Sequence, residues 1–400
     1  VAGLPALISS GSPAVNTTAI GQRLDRYDIV HVQEDFNYHA ALYAADRHPY
    51  RSATSGGVPF GDGMNTLSRF PITDLTRVKW AKCNGTDCLT PKGFSWNRVR
   101  LAEGVHLDLY NAHPNAGSAD ADLAARRANI TQLSQFIAAN SAGNAVIVMG
   151  DTNTRYTRGR DNIRELLQTN GLTDAWVEHQ RGGVPPAIDT PGLVCDPAAV
   201  TSSCEVVDKI LYRGNRFISL RATGYENDNK AFLDAAGKPL SDHYPHTARF
   251  SWTLQPDLRL SDTAGGPHGT PFTDLDRVVP RARVERLTVR GGSRLDQVAL
   301  TRADGTTLVH GGNGGTPSTL PLAAGEQLTQ VTLSWGKKDG RTRVFSARFA
   351  TNHARVLAAG RPTGDAVTYT APAGWQIAGF HGRSGAELDS LGVIFTPAGS

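Results

Sequence analysis

The chain has 400 residues, 40% of them hydrophobic, and a formal net charge of +4. That length exceeds one ordinary core, so two domains are expected, and no run approaches the ~18 apolar residues of a membrane span. The small positive charge favours anionic partners only mildly and does not say which.

The chain opens within what reads as a strand, Val1-Ala2-Gly3-Leu4-Pro5, as a trimmed mature form would. Tyr27–Val32 is a mostly apolar run ending in Gln33-Glu34, as a buried strand would. Residues 119–140 read as a helix with Ser118 as N-cap and Asp120 and Asp122 in its first turn. Leu123, Ile130, Leu133, Phe136 and Ile137 supply its apolar face. Ala145–Met149 is a short β-branched run delivering Gly150-Asp151 to a strand end, and a further helix begins over Ile163–Leu167. The last strand of this half runs Thr247–Trp252. Beyond about residue 255 the chain reads as strands and glycine turns, with alternation in Val284–Val289, Leu295–Leu300, Leu328–Trp335, Val344–Phe349 and Leu391–Phe395. The division is 1–254 and 258–398, an α/β domain and then an all-β one. The four cysteines form two close pairs, Cys83 with Cys88 and Cys195 with Cys204, which fit two local disulfides of a secreted protein. Neither pair has the CxxC spacing of a zinc site.

Five polar motifs end apolar runs in the first half: Val32-Gln33-Glu34, Asn111-Ala112-His113, Gly150-Asp151-Thr152-Asn153, Val207-Asp208-Lys209 and Ser241-Asp242-His243-Tyr244-Pro245. Carboxylates at strand ends suit a hard divalent cation, and histidines beside them suit proton transfer and stabilisation of a charged phosphorane. Asp151 and Asn153, two apart on an extended segment, would project from one face. Asp208 is placed to bond a ring nitrogen of a histidine and fix its tautomer.

Together these motifs resemble the endonuclease/exonuclease/phosphatase superfamily across nearly all of residues 1–250. The resemblance implies a four-layer α/β sandwich of the pancreatic deoxyribonuclease type, with the site at strand C-terminal edges. It makes Glu34 the principal Mg²⁺ ligand, with Asp242 nearby (Ca²⁺ and Mn²⁺ being alternatives). It makes His243 the general base, oriented by Asp208, with Asp151 positioning the nucleophile, Asn153 the phosphate, and His113 stabilising the transition state. It also implies an asparagine immediately before Val1. Val1–Pro5, Asp87–Phe94 and Ser241–Pro245 are most similar to the neutral sphingomyelinase and phospholipase C-like branch. The expected function is a secreted Mg²⁺-dependent phosphodiesterase of phospholipase C type, acting on sphingomyelin or a related phospholipid at a membrane surface.

A secreted nuclease is the alternative, and nucleic acid then the partner. Its groove would need many phosphate-neutralising cations, yet the candidates are sparse: Arg98 and Arg100 on one strand, Arg126-Arg127 on a helix, and Arg155, Arg158 and Arg160 near the site. A second alternative is an inactive glycan-binding protein. Segments 181–204 and 225–240 would flank the site and set substrate choice, with Tyr225 and Phe232 their only exposed aromatics.

Gly374–Gly392, with Ala264-Gly265-Gly266 and Pro271–Asp274, resembles jacalin-related lectins. The resemblance covers 258–398 and implies a β-prism of three Greek-key sheets that binds a glycan or glycolipid. Its Gly-x-x-x-Asp loop is Gly385-Ala386-Glu387-Leu388-Asp389, with Gly265 opposite. Glycine lets backbone approach a ring, and a carboxylate takes two vicinal hydroxyls. His381 and Arg383 read as packing and rim residues.

Overall fold

The computed structural model describes residues 1–4, 12–56 and 61–399. Among the described residues, five α-helices and eleven strands make the first half. The strands are β1 (Ile29–Val32), β2 (Tyr50–Arg51), β3 (Asn65–Ser68), β4 (Ile72–Lys79), β5 (Gly93–Ala102), β6 (Val105–Ala112), β7 (Val146–Asp151), β8 (Thr173–Asp174), β9 (Asp208–Arg213), β10 (Ile218–Asn227) and β11 (His246–Leu254). The helices are α1 (Pro13–Gly21), α2 (His39–Ala45), α3 (Asp120–Asn140), α4 (Ile163–Asn170) and α5 (Ala175–Arg181).

The main sheet runs β4-β5-β6-β7-β9-β8, with β6 and β7 parallel and the other neighbours antiparallel. A three-stranded sheet β1-β3-β2 and the pair β10-β11 complete this half. The apolar run in β7 is buried because sheet neighbours flank it and side chains cover both faces; Val146 and Val148 are fully covered. On α3, Ile130, Leu133 and Ile137 face the sheet, while Phe136 meets Phe94, Trp96 and Tyr110 edge-on. Its N-cap is Ala119 rather than Ser118. The carboxylate of Asp122 accepts from the Ala119 N–H at 3.1 Å and satisfies the helix start from inside the first turn. Asp174 caps α5 through the Trp176 and Val177 amides.

The expected opening strand is not found. Pro5 lies outside the described residues, and Val1–Leu4 form no strand. Their hydrogen bonds go to the segment after β1 instead, from the Val1 ammonium to Gln33 O (2.9 Å) and from Gly3 N–H to Glu34 O (2.8 Å).

From Arg259 the chain is all strand: β12 (Arg259–Leu260), β13 (Ala264–Gly265), β14 (Thr270–Thr273), β15 (Val284–Gly291), β16 (Leu295–Arg302), β17 (Thr307–Gly311), β18 (Thr316–Pro321), β19 (Leu328–Lys338), β20 (Arg341–Thr351), β21 (Val356–Gly360), β22 (Asp365–Thr370), β23 (Trp375–Ser384) and β24 (Leu388–Pro397). They form three sheets, β12-β24-β23-β14 with β13 also on β24, β17-β16-β15-β18, and β21-β20-β19-β22. Leu287, Val289, Val298, Val331, Leu333, Phe349, Phe380 and Val393 point inward, period-2 residues closing one core among three sheets.

The halves are packed together. Leu258, Leu275, Val278, Ala378 and Ile394 belong to the same apolar cluster as Trp96, Val105 and Leu107. Asp262 accepts from Arg100 Nε (3.0 Å) and the Gly104 N–H (3.0 Å), while Arg216 donates to Leu275 O and Val278 O. His381 is buried, its Nε2 bonded to Ser261 O at 3.0 Å. Arg383 is buried too, its guanidinium lying 4.8 Å over Trp96, so neither is a rim residue. Replacing Asp262 by alanine leaves Arg100 and Gly104 without their acceptor. It should cost about 1–3 kcal/mol in urea unfolding, and an unchanged midpoint would contradict this account of the interface.

Candidate active site

Strand register assembles the site. Ala112 of β6 lies opposite Gly150 of β7, which brings His113 beside Asp151, and Asp151 pairs directly with Asp208 at the start of β9. Glu34 follows β1 and adopts φ of 61°, a left-handed conformation rare for a non-glycine residue. Such outliers persist where surrounding structure over-determines them, often at functional sites. Here Gly3 fits against its carbonyl, where a Cβ would stand 2.1 Å away. Asn111 ties the motifs together: its amide donates to Val32 O and Asn65 O, and its oxygen accepts from Gln33 Nε2 at 2.7 Å.

Carboxylates and imidazoles then alternate. His113 Nε2 lies 3.6 Å from Glu34 Oε1 and 3.5 Å from Asp151 Oδ2. His243 Nε2 lies 3.7 Å from the same Asp151 oxygen, and its Nδ1 is 3.0 Å from Asp208 Oδ2. Burial pushes the Asp151 carboxyl up to about 7, with the Asp208 charge adding to it, His243 opposing, and Glu34 adding further. Asp208 is also buried, which would raise it, but the charge and hydrogen bond of His243 outweigh that and hold it below the usual carboxylate range. The Asp208 charge in turn lifts His243 to about 10. Burial, with Lys92 and His243 nearby, drives His113 well below the ordinary imidazole value and keeps it neutral.

These donors fit a hard divalent cation. Ligand atoms of Asp151, Asp208 and His243 lie within 4.8 Å of one another, and a buried carboxyl raised by neighbouring carboxylates is relieved by a positive charge. Glu34 retains 24% side-chain exposure on the open side. The expected metal pair Glu34 and Asp242 is not drawn together in the same way: Asp242 is exposed, and its carboxylate accepts from Ser241 Oγ at 3.4 Å. Asn153 does not continue an extended segment from Asp151. Its φ is 53°, its N–H caps Asp151 Oδ1 at 2.9 Å and its side chain donates to Pro114 O at 3.0 Å, so a local turn replaces a shared face. A cavity of about 190 Å³ adjoins His243 and Asp208, walled by Ile29, Met149, Ile210, Phe232 and Leu240.

Both disulfides form, Cys83–Cys88 and Cys195–Cys204. Of the cations considered for a polyanion groove, Arg98 pairs with Asp108, Arg100 with Asp262, and Arg126 is buried on Asp161, whereas Arg127, Arg158 and Arg160 stay exposed while pairing with Glu165, Asp161 and Asp120. Tyr225 and Phe232 are buried, not exposed wedges, since Tyr225 bonds His246 and Phe232 packs with Leu240. In the all-β half, Asp389 is wholly buried and ion-paired with Arg343, and Glu387 holds Arg294 through both oxygens. Gly385 and Ala386 are exposed, and Gly265 lies on the Asp389 carbonyl.

Residues 13–180 match Endonuclease/Exonuclease/phosphatase family 2, and residues 261–394 match the Jacalin-like lectin domain. A sphingomyelinase of Mycobacterium tuberculosis is 38% identical over 261 residues, 63% of this chain and 51% of that protein. The chain thus spans about half the length of the sphingomyelinases it matches. Horcolin of Hordeum vulgare is 32% identical over 139 residues, 33% of this chain and 95% of the lectin. Malaysian banana lectin is 25% identical with a TM-score of 0.31, covering 35% of this chain and 98% of that one.

His243 should remain an imidazolium in chelator-treated protein until pH climbs toward 10. Its raised value means that the stabilisation it gives is complete below about 6.5 and is lost as pH rises through about 10. Asp208→Asn should bring the midpoint of its ring-proton NMR titration down towards the ordinary range. A wild-type midpoint near 6.5 would contradict the pairing.

Proposed function

Since the chain joins a domain of the endonuclease/exonuclease/phosphatase family to a jacalin-like lectin domain, we propose that it is a secreted, Mg²⁺-dependent phosphodiesterase of phospholipase C type. Its substrate is sphingomyelin or a related phospholipid. Residues 1–254 form the catalytic unit, a four-layer sandwich, and 258–398 the glycan-binding prism. The observation that carries this reading is the unbroken series Glu34, His113, Asp151, His243, Asp208, drawn together from the segments after β1 and β6, the end of β7, the start of β9 and the segment before β11.

Glu34, supported by Asp151, would hold the divalent cation. When bound, that ion supplies positive charge to the phosphoryl oxygens and offsets the carboxylates that keep His243 protonated. Asp208 fixes the His243 ring with Nε2 toward the site. Once unprotonated, that nitrogen takes a proton from water as the new water-oxygen bond to phosphorus forms and the bond to the lipid oxygen breaks, the departing alkoxide taking a proton from solvent to leave as the lipid alcohol. Neutral His113 donates a hydrogen bond to the charge that builds on phosphorus. Asp151 lies between both imidazoles and positions the nucleophile. The turn at Asn153 sets that amide beside the phosphate path.

The engagement of Arg98, Arg100 and Arg126 in internal ion pairs favours a lipid over a nucleic acid. A prism that holds surface glycans would raise the local concentration of membrane substrate through effective molarity.

The test compares sphingomyelin, phosphatidylcholine, phosphatidylinositol and plasmid DNA, each with Mg²⁺ and with EDTA. Release of a phosphorylated headgroup is expected, abolished by EDTA and lowered about 10²–10⁴-fold by His243→Ala. DNA cleavage with every lipid untouched would overturn the phospholipase reading.

A further inference from the structure

The left-handed turn at Glu34 persists only because its neighbours hold it, and the carboxylate it presents faces the open side, 3.6 Å from His113. Its aim must therefore come from the backbone on either side. Asp35, the next residue, is 1% exposed although it takes no part in the carboxylate–imidazole series. Its N–H donates to Gly63 O (3.3 Å) and its carbonyl takes the Tyr38 N–H (2.6 Å). Its carboxylate accepts from the side-chain amide of Asn65. Strand register places that asparagine, since Asn65 of β3 pairs with Val32, the last residue of β1.

Asn65 is buried and works as donor and acceptor at once. Its Nδ2 faces the Asp35 carboxylate, while its Oδ1 accepts from Arg77 Nη2 (3.2 Å) and Ser52 Oγ (3.1 Å). A guanidinium can only donate and an ionised carboxylate only accept, so one orientation of the amide satisfies both. Leucine, of similar size, would leave both buried partners open, and aspartate would set a second carboxylate against Asp35. Arg77 of β4 is fixed in turn: its Nη1 bonds both Asp62 oxygens (2.8 and 2.7 Å) and Met64 O (2.7 Å). A line of polar groups thus runs Asp62, Arg77, Asn65, Asp35 into the turn that carries Glu34. Asn111 closes it from the other side, donating to Asn65 O (3.2 Å) and Val32 O (3.0 Å).

We infer that Asn65, fixed by Arg77 and acting through Asp35, is a positioning residue that aims the Glu34 carboxylate at its divalent cation. This rests on the reading of Glu34 as the principal metal ligand. Groups that orient a ligand in this way change metal affinity by about 10–100-fold when removed.

Calorimetric titration of the full chain with Mn²⁺ reads the effect without turnover. Asn65→Ala and Asp35→Asn should each weaken binding about tenfold or more. The double exchange D35N/N65D turns the donor and acceptor around and keeps an acceptor for Arg77, so it should recover most of the loss of either single change. Arg77→Gln, at a side chain 20% exposed, should weaken binding by less than Asn65→Ala does. Affinity unchanged in Asn65→Ala and Asp35→Asn would overturn the inference. So would a loss that the double exchange fails to recover, the mark of a general loosening. Should Asn65→Ala not fold, the double exchange against Asp35→Asn alone decides the same question. Mn²⁺ binding that is absent from the unaltered chain, or that survives Glu34→Gln, would instead remove the reading of Glu34 as ligand.

Discussion

Asp151 ends one strand and Asp208 begins its antiparallel neighbour, and the register pairs them. Two buried carboxylates cannot both ionise side by side in a low-dielectric site without compensation. The rest of the site answers that constraint. His243 brings one positive charge against Asp208, His113 stays neutral on the far side, and Asp151 is left half-titrated near neutrality. On the proposed reading, a cation and a phosphodiester would complete the charge balance that the protein alone leaves open.

The second half is joined to the first by more than a linker. Asp262 binds two groups of the β5–β6 hairpin region, and the half-buried Arg216 and the buried Arg383 reach across in opposite directions. A prism fastened this way shares an apolar cluster and polar contacts with the first half. Any glycan it holds would then fix the orientation of the active-site edge as well as its distance from the surface.

The strand-end motifs were legible because each apolar run has a single polar end, and a strand end in an α/β sheet is where sites form. What proved illegible depended on partners far along the chain. Arg100 looks like a free cation until Asp262, 162 residues later, is seen to hold it. Asp389 looks like a ligand until Arg343 covers it from another sheet. Asn153 was misread for a local reason, since an Asp-x-Asn sequence suits a turn that closes on itself as well as an extended segment. Ser118 lost its capping role to Asp122 because a carboxylate inside the first turn reaches back to the same orphan amide.

The most direct test of the central claim is calorimetric binding of Mg²⁺ or Mn²⁺ at pH 7 in buffers of different ionisation enthalpy. A site completed by a cation predicts saturable binding accompanied by proton release from the Asp151–His243 pair, with affinity lost on Glu34→Gln and on Asp151→Asn. Binding that releases no proton and survives both substitutions would contradict it.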